Sequence, residues 1–375
     1  MGYNKIMKEH KILLAEPVIE TKKANVLIKQ VLNDNFPNEG RFAKLFEKKI
    51  STLLKAKYVV TATSGTISIF LALKALGIKK NDEVIVPNIT FPATANAVEL
   101  TGATPIFVDI NKDNLLIDEN ALKKKINKKT KAVVVVHISG RGNNIKKIAK
   151  ITKKTKIHLV EDAAEAFMSK YENKFLGTFG DMGCFSFAPN KIITTGQGGI
   201  VVTNNKSLYK KLIRLKDQGR IGTTTGGEDN YVSFGYNFKF TNLQAALGLS
   251  QLDKIKKKLS ILKNNYRFYK KHLKQNKNFK LIGFNLQKGE LPLWNDIYCT
   301  KRNQLFNFLK QQGVNCRYFW HPLNTCKPYK KSFSGLKNSK FLRKKLMWLP
   351  SSLNLKNKDL KKICYLINKY NKKNG

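Results

Sequence analysis

Between Leu53 and about Gly180, short β-branched runs alternate with stretches of helical periodicity. The runs are Tyr58–Val60, Val84–Val86, Ile106–Val108, Val133–Val136 and Ile157–Val160. From Ser64 to Leu76 the apolar residues fall at helical spacing, and Gly77 closes the segment. Short apolar strands separated by helices predict a mostly parallel sheet covered on both faces. Such sheets place ligands beyond the carboxyl ends of their strands, so the informative residues should follow the runs. Around Leu252 the texture changes. Leu252, Ile255, Leu259, Leu262, Tyr266 and Tyr269 form an apolar stripe that predicts one long helix. Short strands over 279–282, 296–300 and 314–319 and a final helix over 358–370 follow. The expected fold class is α/β: a large domain over 1–250, including the N-terminal segment, and a smaller α+β domain over 251–375, divided to within about ten residues.

Composition narrows the class. The 375 residues are 42% hydrophobic and 25% charged, as expected of a soluble globular chain of two domains. No stretch approaches the ~18 consecutive apolar residues of a membrane helix. The polar start, Met1 to Glu9, lacks the apolar core of a secretion signal. Ile6 stands where a myristoylation motif needs Ser or Thr, so Gly2 is not read as a lipid acceptor. Five scattered cysteines, at 184, 299, 316, 326 and 364, have no metal-type spacing, which argues against a disulfide scaffold and a metal site. The expected location is the cytoplasm.

The formal charge is +45, from 70 basic and 25 acidic residues. Arginine supplies only positions 41, 141, 214, 220, 267, 302, 317 and 343. A dedicated nucleic-acid reader favours Arg for bidentate contacts, whereas here Lys and Asn abound along the whole chain. The charge is therefore read as background that also suits anionic substrates, without a specific nucleic-acid partner.

Candidate chemistry follows the strands. Thr63-Ser64-Gly65-Thr66 opens a helix, where free N–H groups and the helix dipole suit an anion, or where Ser64 is simply a cap. Phe91, in the run Pro87 to Thr94, falls at the ligand edge, placed either to lie on a planar group or in the core. Glu161-Asp162-Ala163-Ala164-Glu165 follows another strand, and its small residues leave room beside Asp162. Lys191 lies between the aromatic-rich run Phe185-Ser186-Phe187 and the glycine-rich turn Thr194 to Gly199. A lysine withdrawn from water gives up its proton more readily and attacks carbonyls to form Schiff bases. In so lysine-rich a chain, the pairing of Lys191 with Asp162 is what singles it out.

In order and spacing, Ser64-Gly65-Thr66, Asn88 to Phe91, Glu161 to Ala164, Phe185 to Phe187, Lys191 and Thr194-Thr195-Gly196-x-Gly198-Gly199 resemble the DegT/StrS-type sugar aminotransferases. The match continues through Gly235 to Phe238 and Asn242 to Gly248, with weaker echoes at Arg317 to Leu323 and Trp348-Leu349-Pro350. The resemblance implies the type I fold of pyridoxal-phosphate-dependent transferases. It implies that Lys191 holds the cofactor as a Schiff base and shuttles a proton, and that Asp162 pairs with the ring nitrogen. Phe91 would stack on the ring, Glu165 would contact its hydroxyl, and Ser64, Gly65, Thr66 and Ser186 would hold the phosphate. Asn237 would reach that phosphate from the second subunit of a homodimer. Glu165, often Gln at this position, resembles enzymes acting at C4 of nucleotide-linked 4-keto-6-deoxy sugars, perosamine synthases among them. L-Glutamate is the implied amino donor.

Three departures bear on the acceptor. Gln197 stands where the glycine turn usually carries Glu. His137-Ile138-Ser139-Gly140-Arg141 replaces a His-x-Tyr-Gly pattern, with His137 and Arg141 as candidate substrate contacts and Arg141 suited to an anionic group. His321, also a candidate, is followed by Pro-Leu-Asn, without the usual His. A keto sugar acid is therefore an alternative acceptor. Related dehydratases carry His in place of the lysine, which Lys191 argues against. A non-catalytic basic scaffold has no need of Lys191 with Asp162, Ser186 and Asn237.

Overall fold

The computed structural model describes residues 12–142, 144–222, 230–329 and 335–374. The β-branched runs become strands β1 (Tyr58–Ala62), β2 (Glu83–Pro87), β3 (Thr104–Val108), β4 (Thr130–Val136) and β5 (His158–Asp162), with β6 (Met182–Ser186) and β7 (Gly199–Thr203) after them. They form one sheet in the order β1-β7-β6-β5-β4-β2-β3. Pairing is parallel from β6 to β3, and β7 runs antiparallel to both β1 and β6. β4 ends in four consecutive valines, all buried, as a strand covered on both faces requires.

Helices α1 (Thr21–Asn33), α2 (Arg41–Leu54), α3 (Gly65–Ala75), α4 (Ala93–Leu100), α5 (Glu119–Lys125), α6 (Ile145–Thr155), α7 (Lys206–Lys216) and α8 (Asn242–Leu252) accompany this sheet. Two apolar cores result, one holding Phe46, Val133 and Phe185 and the other Ile69, Val134 and Val160. Val134 of β4 thus enters the layer opposite to Val133 and Val135. Ser64 caps α3, its Oγ accepting from the Ile67 N–H at 3.2 Å.

A second, antiparallel sheet in the order β8-β9-β11-β10 comprises β8 (Phe279–Leu281), β9 (Asn295–Cys299), β10 (Arg317–Tyr318) and β11 (Leu346–Leu349). Around it lie α9 (Ile255–His272), α10 (Arg302–Gln311), α11 (Lys337–Leu342) and α12 (Asn357–Asn374). The N-terminal segment joins this layer, Ile12 bridging Val314 and Leu14 accepting from the Ser351 N–H at 2.7 Å.

The expected single long helix is two. α8 ends at Leu252 and α9 starts at Ile255, and the stripe changes core further on, within α9. Leu252, Ile255 and Leu262 pack into the large layer, while Tyr266 and Tyr269 belong to the core of the small one.

Candidate active site

The carboxyl ends of five strands meet at one cavity of about 260 Å³, with Val136 of β4 in its lining. Ser64, Gly65 and Thr66 arrive from the β1–α3 junction and Phe91 from the residues after β2. Asp162 ends β5, with Ala164 and Glu165 beyond it, and Ser186 ends β6 with Lys191 five residues on. The small layer closes the cavity with Arg317, Trp320 and Trp348. Eight candidates from the sequence therefore converge: Ser64, Gly65, Thr66, Phe91, Asp162, Glu165, Ser186 and Lys191. A Cβ on Gly65 would stand 2.8 Å from Ser186 Cβ, so glycine is what lets the helix N-terminus approach that serine.

Asp162 is buried, its Oδ2 accepting from Thr94 Oγ1 at 2.7 Å and its Oδ1 from the Ala164 N–H at 3.1 Å. Burial raises its pKa above the ordinary carboxylate value, against the two hydrogen bonds and the charges of Lys191 and His137. No cation lies at salt-bridge distance from it among the described residues. Glu165 is also buried and also raised by burial, with Lys191 the largest opposing influence. Its Oε1 accepts from Trp294 Nε1 at 2.8 Å and its Oε2 from the Ser139 N–H at 2.9 Å. Lys191 Nζ lies 3.7 Å from Glu165 Oε1.

Phe91 is 51% exposed, its ring centroid 6.1 Å from that of Trp320. It lines the cavity mouth instead of joining the core.

Pyridoxal phosphate fits this set of groups. A buried carboxylate lacking a cation suits a protonated ring nitrogen, a lysine amine stands in the same wall, and a helix N-terminus beside Ser186 suits a phosphate.

The three tentative substrate contacts are not in the cavity wall. Arg141 is 1% exposed and pairs with Asp296 through Nη1. Its Nε donates to the Gly283 carbonyl at 2.8 Å and its Nη2 to the Ile282 carbonyl at 3.0 Å. A guanidinium buried this deeply and held at all three nitrogens does not reach the cavity to meet a substrate anion. His137 is buried between Glu161 Oε2, 2.8 Å from its Nε2, and the Arg141 carbonyl, 3.2 Å from its Nδ1. Its backbone N–H donates to the Asp162 carbonyl at 3.0 Å, so it supports the floor of the site from behind. His321 is exposed outside the cavity lining. Asn237 is also outside it, exposed on a segment whose Phe234 is 96% exposed.

Sequence reasoning gave no site role to Thr94, Trp294, Arg317, Trp320 or Trp348, although Arg317, Trp320 and Trp348 lie in the weaker echoes of the resemblance. Thr94 had a local signal, three residues after Phe91 in the same run. The tryptophans and Arg317 come from the small layer, and no local pattern ties them to Lys191.

Residues 18–368 match the DegT/DnrJ/EryC1/StrS aminotransferase family. Over 339 residues the chain is 35% identical to the GDP-perosamine synthase of Escherichia coli O157:H7, covering 89% of this chain and 91% of that protein. The Helicobacter pylori aminotransferase PseC, involved in the biosynthesis of pseudoaminic acid, superposes with a TM-score of 0.89 at 29% identity over 96% of this chain and 98% of that one. The putative sugar aminotransferase Spr1654 from Streptococcus pneumoniae, in its PLP form, shares the fold with a TM-score of 0.91 at 23% identity, over 96% and 99% of the two chains.

Proposed function

Because the chain belongs to the DegT/DnrJ/EryC1/StrS family of pyridoxal-phosphate-dependent sugar aminotransferases, we propose that it moves an amino group from L-glutamate to a nucleotide-linked keto sugar, with a 4-keto-6-deoxy sugar as acceptor. The observation that carries this reading is the meeting of Lys191, Asp162 and Glu165 in one cavity closed by the small layer. The name of the E. coli relative points to a GDP-linked sugar, while the H. pylori title points to another sugar, so the nucleotide and the carbon aminated are left open. Burial of Arg141 removes the observation that favoured a sugar acid. The product would enter surface polysaccharide assembly, in the cytoplasm. No helix among the described residues is long and apolar enough to cross a membrane.

When bound, pyridoxal phosphate supplies a carbonyl for the incoming amine and a ring that takes up the electrons of a broken C–H bond. The residues of this chain do the rest. Lys191 would hold the cofactor covalently and, once displaced, carry a proton at Nζ to and from the substrate carbon. Asp162, kept in place by Thr94 and the Ala164 N–H, would hold the ring nitrogen protonated. Glu165 would face the ring hydroxyl, and Phe91 would cover the ring. Ser64, Gly65, Thr66 and Ser186 would bind the phosphate, with Asn237 contributed by a second copy. The apolar exposure around Asn237, at Phe234, Val232 and Ile221, supports a homodimer through that face. Trp320 and Trp348 would exclude water on the substrate side.

The test is the visible absorbance of the purified protein. L-Glutamate should collapse the cofactor band, and the correct nucleotide keto sugar should restore it. A band indifferent to glutamate would overturn the donor assignment, and no band after incubation with pyridoxal phosphate would overturn the function.

A further inference from the structure

The turn after β4 crosses to the small layer in a way that the proposed chemistry does not use. Ser139 sits at φ 55° and ψ 12°, a left-handed conformation that is strained for a non-glycine residue. Such strain persists where the surroundings over-determine it. Here the Ser139 N–H donates to Glu165 Oε2 at 2.9 Å, its Oγ to Asp296 Oδ1 at 2.9 Å, and its carbonyl accepts from the Leu293 N–H at 3.0 Å. Gly140 follows at φ 101°, and a Cβ there would stand 1.9 Å from the Leu291 carbonyl oxygen. Arg141 then completes the grip. It pairs with Asp296 Oδ2, donates to two backbone carbonyls and lies 3.7 Å from the centroid of the Phe284 ring.

The contacts form a chain from Arg141 to Asp296 to Ser139 to Glu165, ending 3.7 Å from Lys191 Nζ. Asp296 is 0% exposed and also holds β9, two residues after Trp294, the other donor to Glu165. The charged groups facing Glu165 are Lys191, which favours its ionised form, and Asp296, which opposes it. Arg141 neutralises Asp296.

We propose that Arg141 is a positioning residue: acting through Asp296 and Ser139, it fixes the Glu165 carboxylate in the orientation it presents to Lys191 and shields it from the charge of Asp296. The inference rests on reading the cavity as the cofactor site, but its test does not require the cofactor. The chain has three tryptophans, and the Trp294 indole N–H donates directly to Glu165. Its ¹H–¹⁵N indole resonance, assigned by Trp294→Phe, should therefore report the Glu165 charge in the full chain with or without pyridoxal phosphate. The resonance should titrate in the native protein and stop titrating in Glu165→Gln. Arg141→Met should move the midpoint up by about one pH unit, and Asp296→Asn should move it down by about the same. The double variant, which restores neutrality, should return the midpoint to the native value. Where a single variant does not fold, Ser139→Ala carries the test, since it leaves no buried charge unpaired. Ser139→Ala, which cuts the link to Asp296, should broaden or shift the Trp294 resonance. Opposite shifts that cancel would support the positioning role. A midpoint unmoved by both Arg141→Met and Asp296→Asn, or a Ser139→Ala spectrum identical to the native one, would overturn it. Because the readout precedes any reaction with glutamate, failure here is distinct from failure of the proposed activity.

Discussion

Two withdrawn lysines separate structure from chemistry in this molecule. Lys216, with 4% of its side chain exposed, lines the edge of a cleft of about 970 Å³. It pairs with Glu39, lies 3.5 Å from Glu47 Oε1 and reaches Thr61 Oγ1 at 3.3 Å. Burial pulls its pKa down, but Glu47 and Glu39 outweigh burial and hold it above the ordinary lysine value. Lys191, 12% exposed, has one carboxylate at 3.7 Å and stands in a cavity of about 260 Å³. The first lysine is saturated with partners, whereas the second faces a cavity with a single carboxylate nearby, the arrangement the proposed role of Lys191 requires. On the proposed function the larger cleft is the less chemical one, and partner count says more than volume.

The sharpest break in the comparison comes from removing each lysine. Lys191→Ala should lower amino transfer by about 10⁴-fold or more while its melting curve stays close to native. Lys216→Met should do the reverse, costing about 3 kcal/mol in a denaturant titration because two partly buried carboxylates lose their cation, with catalysis retained by the folded fraction. If Lys216→Met abolished activity without loss of stability, the division would fail.

Asp162→Asn should weaken cofactor retention and lower turnover by about 10²-fold, measured by absorbance and single-turnover kinetics. In the cofactor-free protein the same change should raise the melting temperature at pH 8. The carboxyl of Asp162 has its pKa raised by burial, so the native protein binds more protons than the unfolded chain between the unfolded and folded values. Stability from this group is present at low pH and lost as pH rises through the folded value. The advantage of the variant should therefore shrink as pH falls.

Lys258 offers a third and smaller contrast. It is buried without a carboxylate at bonding distance among the described residues and donates to the Val18 carbonyl at 2.7 Å and Gln251 Oε1 at 3.1 Å. Burial lowers its pKa to about 8. The folded state releases this proton before the unfolded chain does, so stability should rise with pH from about 8 to the ordinary lysine value. Chemical denaturation of native protein and Lys258→Met across that range should show the rise only in the native chain. Activity should change least here, since Lys258 reaches the Lys191 turn only through Gln251 and Thr194.

What the sequence made legible follows the range of the interactions. The β-branched runs identified five strands of the large sheet because a strand buried on both faces has little choice of composition. Asp162, Ser186 and Lys191 were readable because parallel strands deliver their carboxyl ends to one edge. Arg141 was misread because its partners, Asp296 and the Ile282 and Gly283 carbonyls, are distant in sequence, and His137 because its partner Glu161 lies on the neighbouring strand. Arg141 reads alone as a free cation, and only Asp296, 155 positions away, makes it a buried strut. The apolar stripe from Leu252 to Tyr269 is continuous in sequence although it faces two cores. Trp294 and Trp348, stacked with centroids 4.9 Å apart beneath the site, carry no local mark of that placement.

The most direct test of the central claim is to load the purified protein with pyridoxal phosphate, reduce it with borohydride and map the modified lysine by peptide mass spectrometry. The account predicts a cofactor-sized mass increment on Lys191, with Lys216 and Lys258 unlabelled. A specific increment on another lysine, or none after loading, would contradict it.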